Sequence, residues 1–395
     1  MRADRPLRIL HVGKHYPPFM GGIETHLRTL VEGLASRAEI EVVVAHSVPF
    51  TVIDRVGPIL VKRLKKDFSV RGAPICLGFA AAIRESSADI VHLHLPNPAA
   101  VMALLWSRYS GPLVATYHSD IVRQRFLGRA FEPVLRALLS RCDAIIATSE
   151  EYAASSPTLK AFAPSCRVIP YGIDVAPFAS ASPRQVTAIR ERFGKRIVLA
   201  VGRLIYYKGF TVLIDAMKEV DAHLVIIGDG PLRDSLTLQA EESGISDRVT
   251  FLGEIQNEET PAYYHAADVF VLPSVARSEA FGIVQIEAMS AGTPVVNTSL
   301  DSGVPSVSLN GLTGLTVPPR NAYALAEALR KVFERPDLAR SFGAAGRVRA
   351  SESYSAKRMC DDTFELYSDI AVARRSSIGV VGFRKAPVGE LQGIP

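Results

Sequence analysis

Residues 197–231 read IVLAVGRLIYYKGFTVLIDAMKEVDAHLVIIGDGP. Ile197–Val201 is a continuous apolar run, the pattern of a strand buried on both faces of a parallel sheet. A short loop carrying Gly202, Arg203 and Lys208 follows. Phe210–Val220 then reads as a helix, and His223–Ile227 as a second buried strand. Strand, crossover helix and strand make a parallel βαβ unit. The same alternation continues outward. Downstream strands are expected at Arg248–Leu252, Asp268–Leu272, Pro294–Asn297 and Gly314–Val317. Upstream they are expected at Leu7–Val12, Ile40–Ala45, Ile59–Arg63, Asp89–His94, Leu113–Tyr117, Asp143–Thr148 and Arg167–Pro170, with helices such as Gly22–Ser36 and Asn97–Tyr109 between them. Alternation on this scale predicts an α/β protein of two doubly wound parallel sheets. The break falls near 175–195, where VAPFASASPRQ shows no strand pattern and reads as a linker. Domains are expected at 1–182 and 190–350. Residues from Ala322 to about Ala373 read as helices, and 374–395 as a loosely held tail.

The composition agrees. Of 395 residues, 48% are hydrophobic and 22% charged, enough for two cores and too apolar for global disorder. No apolar run approaches the ~18 residues of a membrane span, and the N-terminal apolar stretch is too short for a signal peptide. Cys76, Cys142, Cys166 and Cys360 are scattered, without zinc or disulfide spacing, so a reducing cytoplasmic setting is the simplest expectation. Residues 1–180 hold 21 Lys/Arg against 15 Asp/Glu, whereas the remainder is nearly balanced at 24 against 25. A basic N-terminal half suits anionic lipid or nucleic acid. Nucleic acid is the weaker choice, because no helix-turn-helix, RRM or aromatic-basic interleaving occurs.

Five features carry candidate chemistry. Gly21-Gly22 sits where the first helix begins. It is either a plain turn or a place where backbone N–H groups approach an anion. His118 ends the strand Leu113–Tyr117 and either caps it or meets a ligand hydroxyl or proton in a cleft. His92 and His94 share one strand face, but no third ligand stands nearby in sequence, so a core or cleft-lining role is expected rather than a metal pair. Arg203 and Lys208 at a strand-to-helix junction suit a diphosphate, although two solvated cations would look the same. The absence of any Asp-x-Asp fits a phosphate site held by cations alone. Finally, SEAFGIVQIEAMSAGTPVV (278–296) places Glu279 on a loop and Glu287 on a helix that starts near Gly282. An all-helical span would separate the two by about 12 Å. That suits two ends of one extended ligand better than the ~5–9.5 Å of a glycosidase pair.

Together these residues identify a resemblance to the GT-B retaining glycosyltransferases of family 4. Its motifs are VIPYGID (168–174), VGRLIYYKGF (201–210), LVIIGDGP (224–231), Glu279-x7-Glu287 and GLTGLTVPPRN (311–321). The resemblance implies two Rossmann-like domains facing an interdomain cleft, with the acceptor on the N-terminal one and the nucleotide sugar on the C-terminal one. Arg203 and Lys208 would bind the donor diphosphate. Glu279 would bind donor-sugar hydroxyls, with backbone N–H groups at Phe281, Gly282 and Ile283 on the sugar or phosphate. Glu287 would hold the ribose, Gly21 and Gly22 would approach from the N-terminal side, and His118 would lie near the attacked carbon. No cofactor and no metal would be required. A helix at about 354–373 would cross back to the first domain. The segment VVNTSLDSGVP (295–305) resembles bacterial O-antigen and exopolysaccharide mannosyltransferases. The implied partners are GDP-mannose, with a UDP-hexose as alternative, and a polyprenyl-diphosphate-linked or saccharide acceptor.

The basic half then suggests a peripheral place on the inner face of the cytoplasmic membrane. Val122–Arg141 carries a helical apolar stripe flanked by arginines, and VKRLKK (61–66) adds four cations. The alternative is an ordinary helix packed on its sheet. Rival classes are a GT-B epimerase or phosphorylase, and a sugar-nucleotide-binding scaffold without catalysis. A dinucleotide oxidoreductase lacks its glycine fingerprint.

Overall fold

The computed structural model describes residues 5–19, 21–70, 73–120, 125–194 and 196–381. The first sheet uses β1 (Leu7–Val12), β2 (Ala38–Ala45), β3 (Val52–Val56), β4 (Ile59–Leu64), β7 (Ile90–Leu95), β8 (Leu113–Tyr117), β9 (Ala144–Ala147) and β10 (Cys166–Val168). Its order is β10-β9-β8-β7-β1-β2-β4-β3, parallel except for the edge hairpin of β3 on β4. A separate small hairpin pairs β5 (Phe68–Val70) with β6 (Ala73–Ile75). The second sheet is wholly parallel, in the order β13-β12-β11-β14-β15-β16. Its strands are β11 (Ile197–Val201), β12 (His223–Ile227), β13 (Val249–Gly253), β14 (Val269–Leu272), β15 (Val295–Thr298) and β16 (Gly314–Val317). Both sheets reverse direction of growth at an interior pair, β1/β7 and β11/β14. Ligands of open α/β sheets bind beyond the carboxyl ends at such switch points.

Each sheet is covered on both faces, which explains its continuous apolar strands. In β11, Val198 and Ala200 point into one core and Ile197 and Leu199 into the other. The chain crosses back at its end. The helix Ala356–Val381 lays Met359, Cys360, Tyr367 and Ile370 against Leu27, Leu30, Val31 and Leu34 of the helix Gly22–Leu34. Arg37 pairs with Asp361 at 2.6 Å, and Arg374 with Asp143 at 3.1 Å, along the same seam.

Three expectations need correction. The stretch 175–195 is not a bare linker. Pro183–Phe193 is a helix whose Val186, Ile189 and Phe193 pack into the second unit's core. The expected tail begins as helix, which runs on to Val381; residues 382–395 lie outside the described residues. The basic run 61–66 is largely answered by carboxylates. Lys62 pairs with Glu41 at 2.6 Å, Arg63 with Asp54 at 3.1 Å and Lys65 with Asp67 at 3.4 Å. The amphipathic segment is helical over Arg125–Leu139, while its start at Val122 and Arg123 lies outside the described residues. In its C-terminal half the apolar stripe faces inward. Leu135, Leu138 and Leu139 are buried in the first core, with Phe131 and Val134 packed on it. Among the described residues no helix is long and apolar enough to cross a membrane.

Candidate active site

A cleft of about 480 Å³ lies between the carboxyl edges of the two sheets. Its walls include Gly21, Gly22 and His118 from the first unit and Arg203, Lys208, Glu279, Phe281, Gly282 and Ile283 from the second. A Cβ at Gly22 would stand 3.9 Å from Ile283 Cδ1, so these two walls nearly touch. Of the residues singled out in the sequence, Glu287, His92 and His94 are absent from this lining.

The loop after β11 places the cations. Gly209 has φ +73°, and a Cβ there would fall 2.0 Å from the Pro273 carbonyl oxygen. Only glycine lets the loop close against the end of β14. Gly209→Ala should therefore cost about 3 kcal/mol or more, combining left-handed strain with the collision. Thermal unfolding would show this as a midpoint lower by roughly 6–12 °C.

Lys208 Nζ lies 2.7 Å from Glu279 Oε2, and both side chains are nearly buried. Ser274 donates to the same carboxylate at 3.2 Å. Burial pushes the Lys208 ammonium down, but Glu279, with Tyr207 and Glu287, outweighs it and holds the pKa above the ordinary lysine value. The ammonium is thus a fixed positive charge. Arg203 is exposed and lines the same cleft. Glu287 begins one turn into the helix Val284–Ala291. Burial pushes its carboxyl up, against the opposing pull of the Tyr264 hydroxyl, which donates to Oε2 at 2.6 Å, and of Lys208.

His118 lines the cleft, yet its ring is 2% exposed and both nitrogens are engaged. Nε2 meets His94 Nδ1 at 3.0 Å, and Nδ1 meets the Tyr171 hydroxyl. The expectation that His92 and His94 lack a third partner is overturned. His11 and His118 from neighbouring strands, and His26 from the helix Gly22–Leu34, surround them. Their assembly depends on the strand order β8-β7-β1, which sequence spacing does not contain. Sequence reasoning also passed over Tyr171, although it lies inside VIPYGID, and over Arg277. That arginine bonds Asp120 of the first unit at 3.1 Å and Asp301 of the second at 2.9 Å, tying the cleft's flank.

Two parallel-sheet α/β units facing a cleft, with the fixed Lys208 charge on one wall, are the architecture of the GT-B glycosyltransferases. Residues 20–177 match the description Glycosyltransferase Family 4, and 184–349 match Glycosyl transferases group 1. The D-rhamnosyltransferase WbpZ of Pseudomonas aeruginosa is 33% identical over 354 residues, covering 89% of this chain and 93% of that one. The O-antigen chain mannosyltransferase C of Escherichia coli is 32% identical, covering 92% and 99%. The structure of sucrose-phosphate synthase from Thermosynechococcus elongatus superposes with a TM-score of 0.80 at 25% identity, covering 93% and 100%. The chain belongs to glycosyltransferase family 4, and it is a glycosyltransferase of polysaccharide or glycolipid biosynthesis.

Proposed function

We propose that this enzyme transfers mannose from GDP-mannose, with retained anomeric configuration, to a polyprenyl-diphosphate-linked or other saccharide acceptor of a cell-surface polysaccharide. The observation that carries the reading is the fixed Lys208 charge, 2.7 Å from Glu279, in a cleft that Arg203 and Gly22 also line. The sugar preference is supported by the two relatives. D-Rhamnose is 6-deoxy-D-mannose, so a D-rhamnosyltransferase and a mannosyltransferase handle the same ring configuration.

In this reading Arg203 and Lys208 hold the diphosphate, and their charges answer the one that develops as the sugar–phosphate bond breaks. Neither a cofactor nor a bridging metal is needed for that step. Glu279 is held by Lys208 and Ser274 to accept from sugar hydroxyls, and Glu287, fixed by Tyr264, accepts from the ribose. The acceptor oxygen bonds to the anomeric carbon on the face the phosphate leaves. Its proton passes to a departing phosphate oxygen, so no enzymic base is required. Positioning and charge stabilisation supply the rate. The test is NMR of the product formed from GDP-mannose and a lipid-linked oligosaccharide. An α-mannoside supports the proposal. A β-mannoside rejects retention, and turnover with UDP-hexoses only rejects the donor.

We place the enzyme in the cytoplasm, peripherally on the inner membrane face. Support comes from an apolar groove of about 310 Å³ that includes Leu77, Met102 and Trp106. It flanks the helix Pro98–Ser107, which leaves the carboxyl edge of the first sheet after β7. Trp106 is 65% exposed and Leu77 60%. Trp106→Ser should weaken co-sedimentation with anionic vesicles by about tenfold, the loss of one buried aromatic's share. GDP-mannose binding should be unchanged in the same variant.

A further inference from the structure

Five histidines share one buried patch under the cleft. His11 lies opposite His92 in the β1–β7 register, His94 follows two residues on, and His118 leaves the neighbouring strand β8. His26 reaches in from the helix above, its ring centre 5.1 Å from that of His118 and 5.8 Å from that of His94. Burial drives all five pKa values down, those of His11 and His26 to about 3, so each ring offers a neutral lone pair.

A neutral imidazole carries one N–H donor and one acceptor nitrogen. His26 is 5% exposed, and neither ring nitrogen finds a hydrogen-bond partner among the described residues. Leaving such groups dry is costly, so the site is built to hold something. One nitrogen from each of His26, His94 and His118 lies within 4.8 Å of the other two.

We propose that His26, His94 and His118 bind one late first-row divalent ion of the Zn²⁺ type. Three imidazoles without an oxygen ligand favour Zn²⁺, Cu²⁺, Ni²⁺ or Co²⁺ over Mg²⁺ or Ca²⁺. The surroundings supply what metal-bound histidines need, a partner for the other ring nitrogen. The ion would replace the 3.0 Å hydrogen bond between His118 Nε2 and His94 Nδ1; with those two atoms as ligands, His118 Nδ1–H donates to the Tyr171 hydroxyl. His94 Nε2–H donates to His11 Nδ1 at 3.1 Å. The alternative triad of His11, His92 and His94 is the poorer one. Its one nitrogen unpartnered among the described residues is His11 Nε2, whereas both nitrogens of His26 are unpartnered, and none of its three members lines the cleft. His118 borders the cleft, which gives the ion an entry path. Bound there, the ion pins the helix that begins at Gly22 to β7 and β8. It does not bridge the donor diphosphate, and the inference stands independently of which donor is used.

The test is elemental analysis of the full-length chain purified without chelator, then Co²⁺ titration of the chelator-stripped protein read by its visible absorption. About one Zn²⁺ per chain and a Co²⁺ spectrum of three-nitrogen type are expected. H26Q should weaken Co²⁺ binding by about 100-fold or more. Y171F, which keeps every ligand and removes a supporting partner, should weaken it by about 10- to 100-fold. Y171F also serves if H26Q does not fold. H46Q, outside the cluster, should bind as the wild type. A folded wild type that purifies without metal and gives no Co²⁺ spectrum overturns the site, as does binding unaltered in Y171F and in folded H26Q. Donor binding is not among the readouts, so either outcome leaves the transferase reading untouched.

Discussion

Lys208→Met should lower kcat by about 100- to 1,000-fold, the usual result of deleting one fixed group that answers transition-state charge. It should also destabilise the chain, because the nearly buried Glu279 carboxylate loses its counter-ion and keeps the Ser274 hydroxyl as a hydrogen-bond donor. Breaking such a pair from one side costs about 3–5 kcal/mol. The two effects separate in the double variant Lys208→Met/Glu279→Gln. That change removes both charges together and should recover most of the lost stability in a urea titration. It should not recover activity, since the diphosphate still lacks its cation. A double variant that regained turnover would reduce Lys208 to a structural counter-ion of Glu279.

Acid should unfold the metal-free protein unusually early. His11, His26, His92, His94 and His118 are buried neutral, with folded pKa values far below the unfolded value of about 6.5. Below pH 6.5 the unfolded chain takes up protons that the folded chain refuses, so stability falls with falling pH. The loss is small above about pH 6.5 and accumulates down to the folded values, about 3 for His11 and His26. Each histidine removes on the order of 1 kcal/mol between pH 7.5 and 5.5, so the five together remove several kcal/mol. That is comparable to the whole stability of a typical domain. Urea midpoints measured with EDTA at pH 7.5, 6.5 and 5.5 should drop steeply across the last step. Equal midpoints at pH 7.5 and 5.5 would mean that the cluster is hydrated and charges freely.

Much of the fold was legible because parallel strands covered on both faces are written as unbroken apolar runs. Ile197–Val201, His223–Ile227, Leu113–Tyr117 and Gly314–Val317 stand where the runs place them. The hairpin of β3 on β4 was missed because an edge strand has one partner and little burial. Val52–Val56 alternates weakly, and its turn is signalled by Gly57-Pro58 alone, with Gly57 at φ +58°. The helix Pro183–Phe193 left a readable trace, Ser182 and Pro183 at its start with Val186, Ile189 and Phe193 at helical spacing. Its Ala-, Ser- and Pro-rich approach concealed that trace. At the cleft, residue types at strand ends were enough to nominate Arg203, Lys208, Glu279 and the glycine pair. Which partners they meet was not readable. Glu279 finds Lys208 only after β11 and β14 become neighbours, and Glu287 finds Tyr264 only after the helices before and after β14 pack together. The histidine cluster shows this most clearly. His92 and His94 declare one face of one strand, and the order β8-β7-β1 supplies the rest.

The most direct test is thermal unfolding of the wild type and of Arg203→Met across a series of GDP-mannose concentrations. Arg203 is exposed at the cleft, so its loss leaves the fold intact. A donor site on these cations requires the wild-type midpoint to climb with ligand, by the equivalent of about 2.7 kcal/mol at a hundredfold excess over Kd. The same climb in Arg203→Met should need at least roughly tenfold more ligand, as loss of one charge-assisted contact implies. A wild-type midpoint that ignores GDP-mannose, or a variant that tracks the wild type at every concentration, would contradict the assignment.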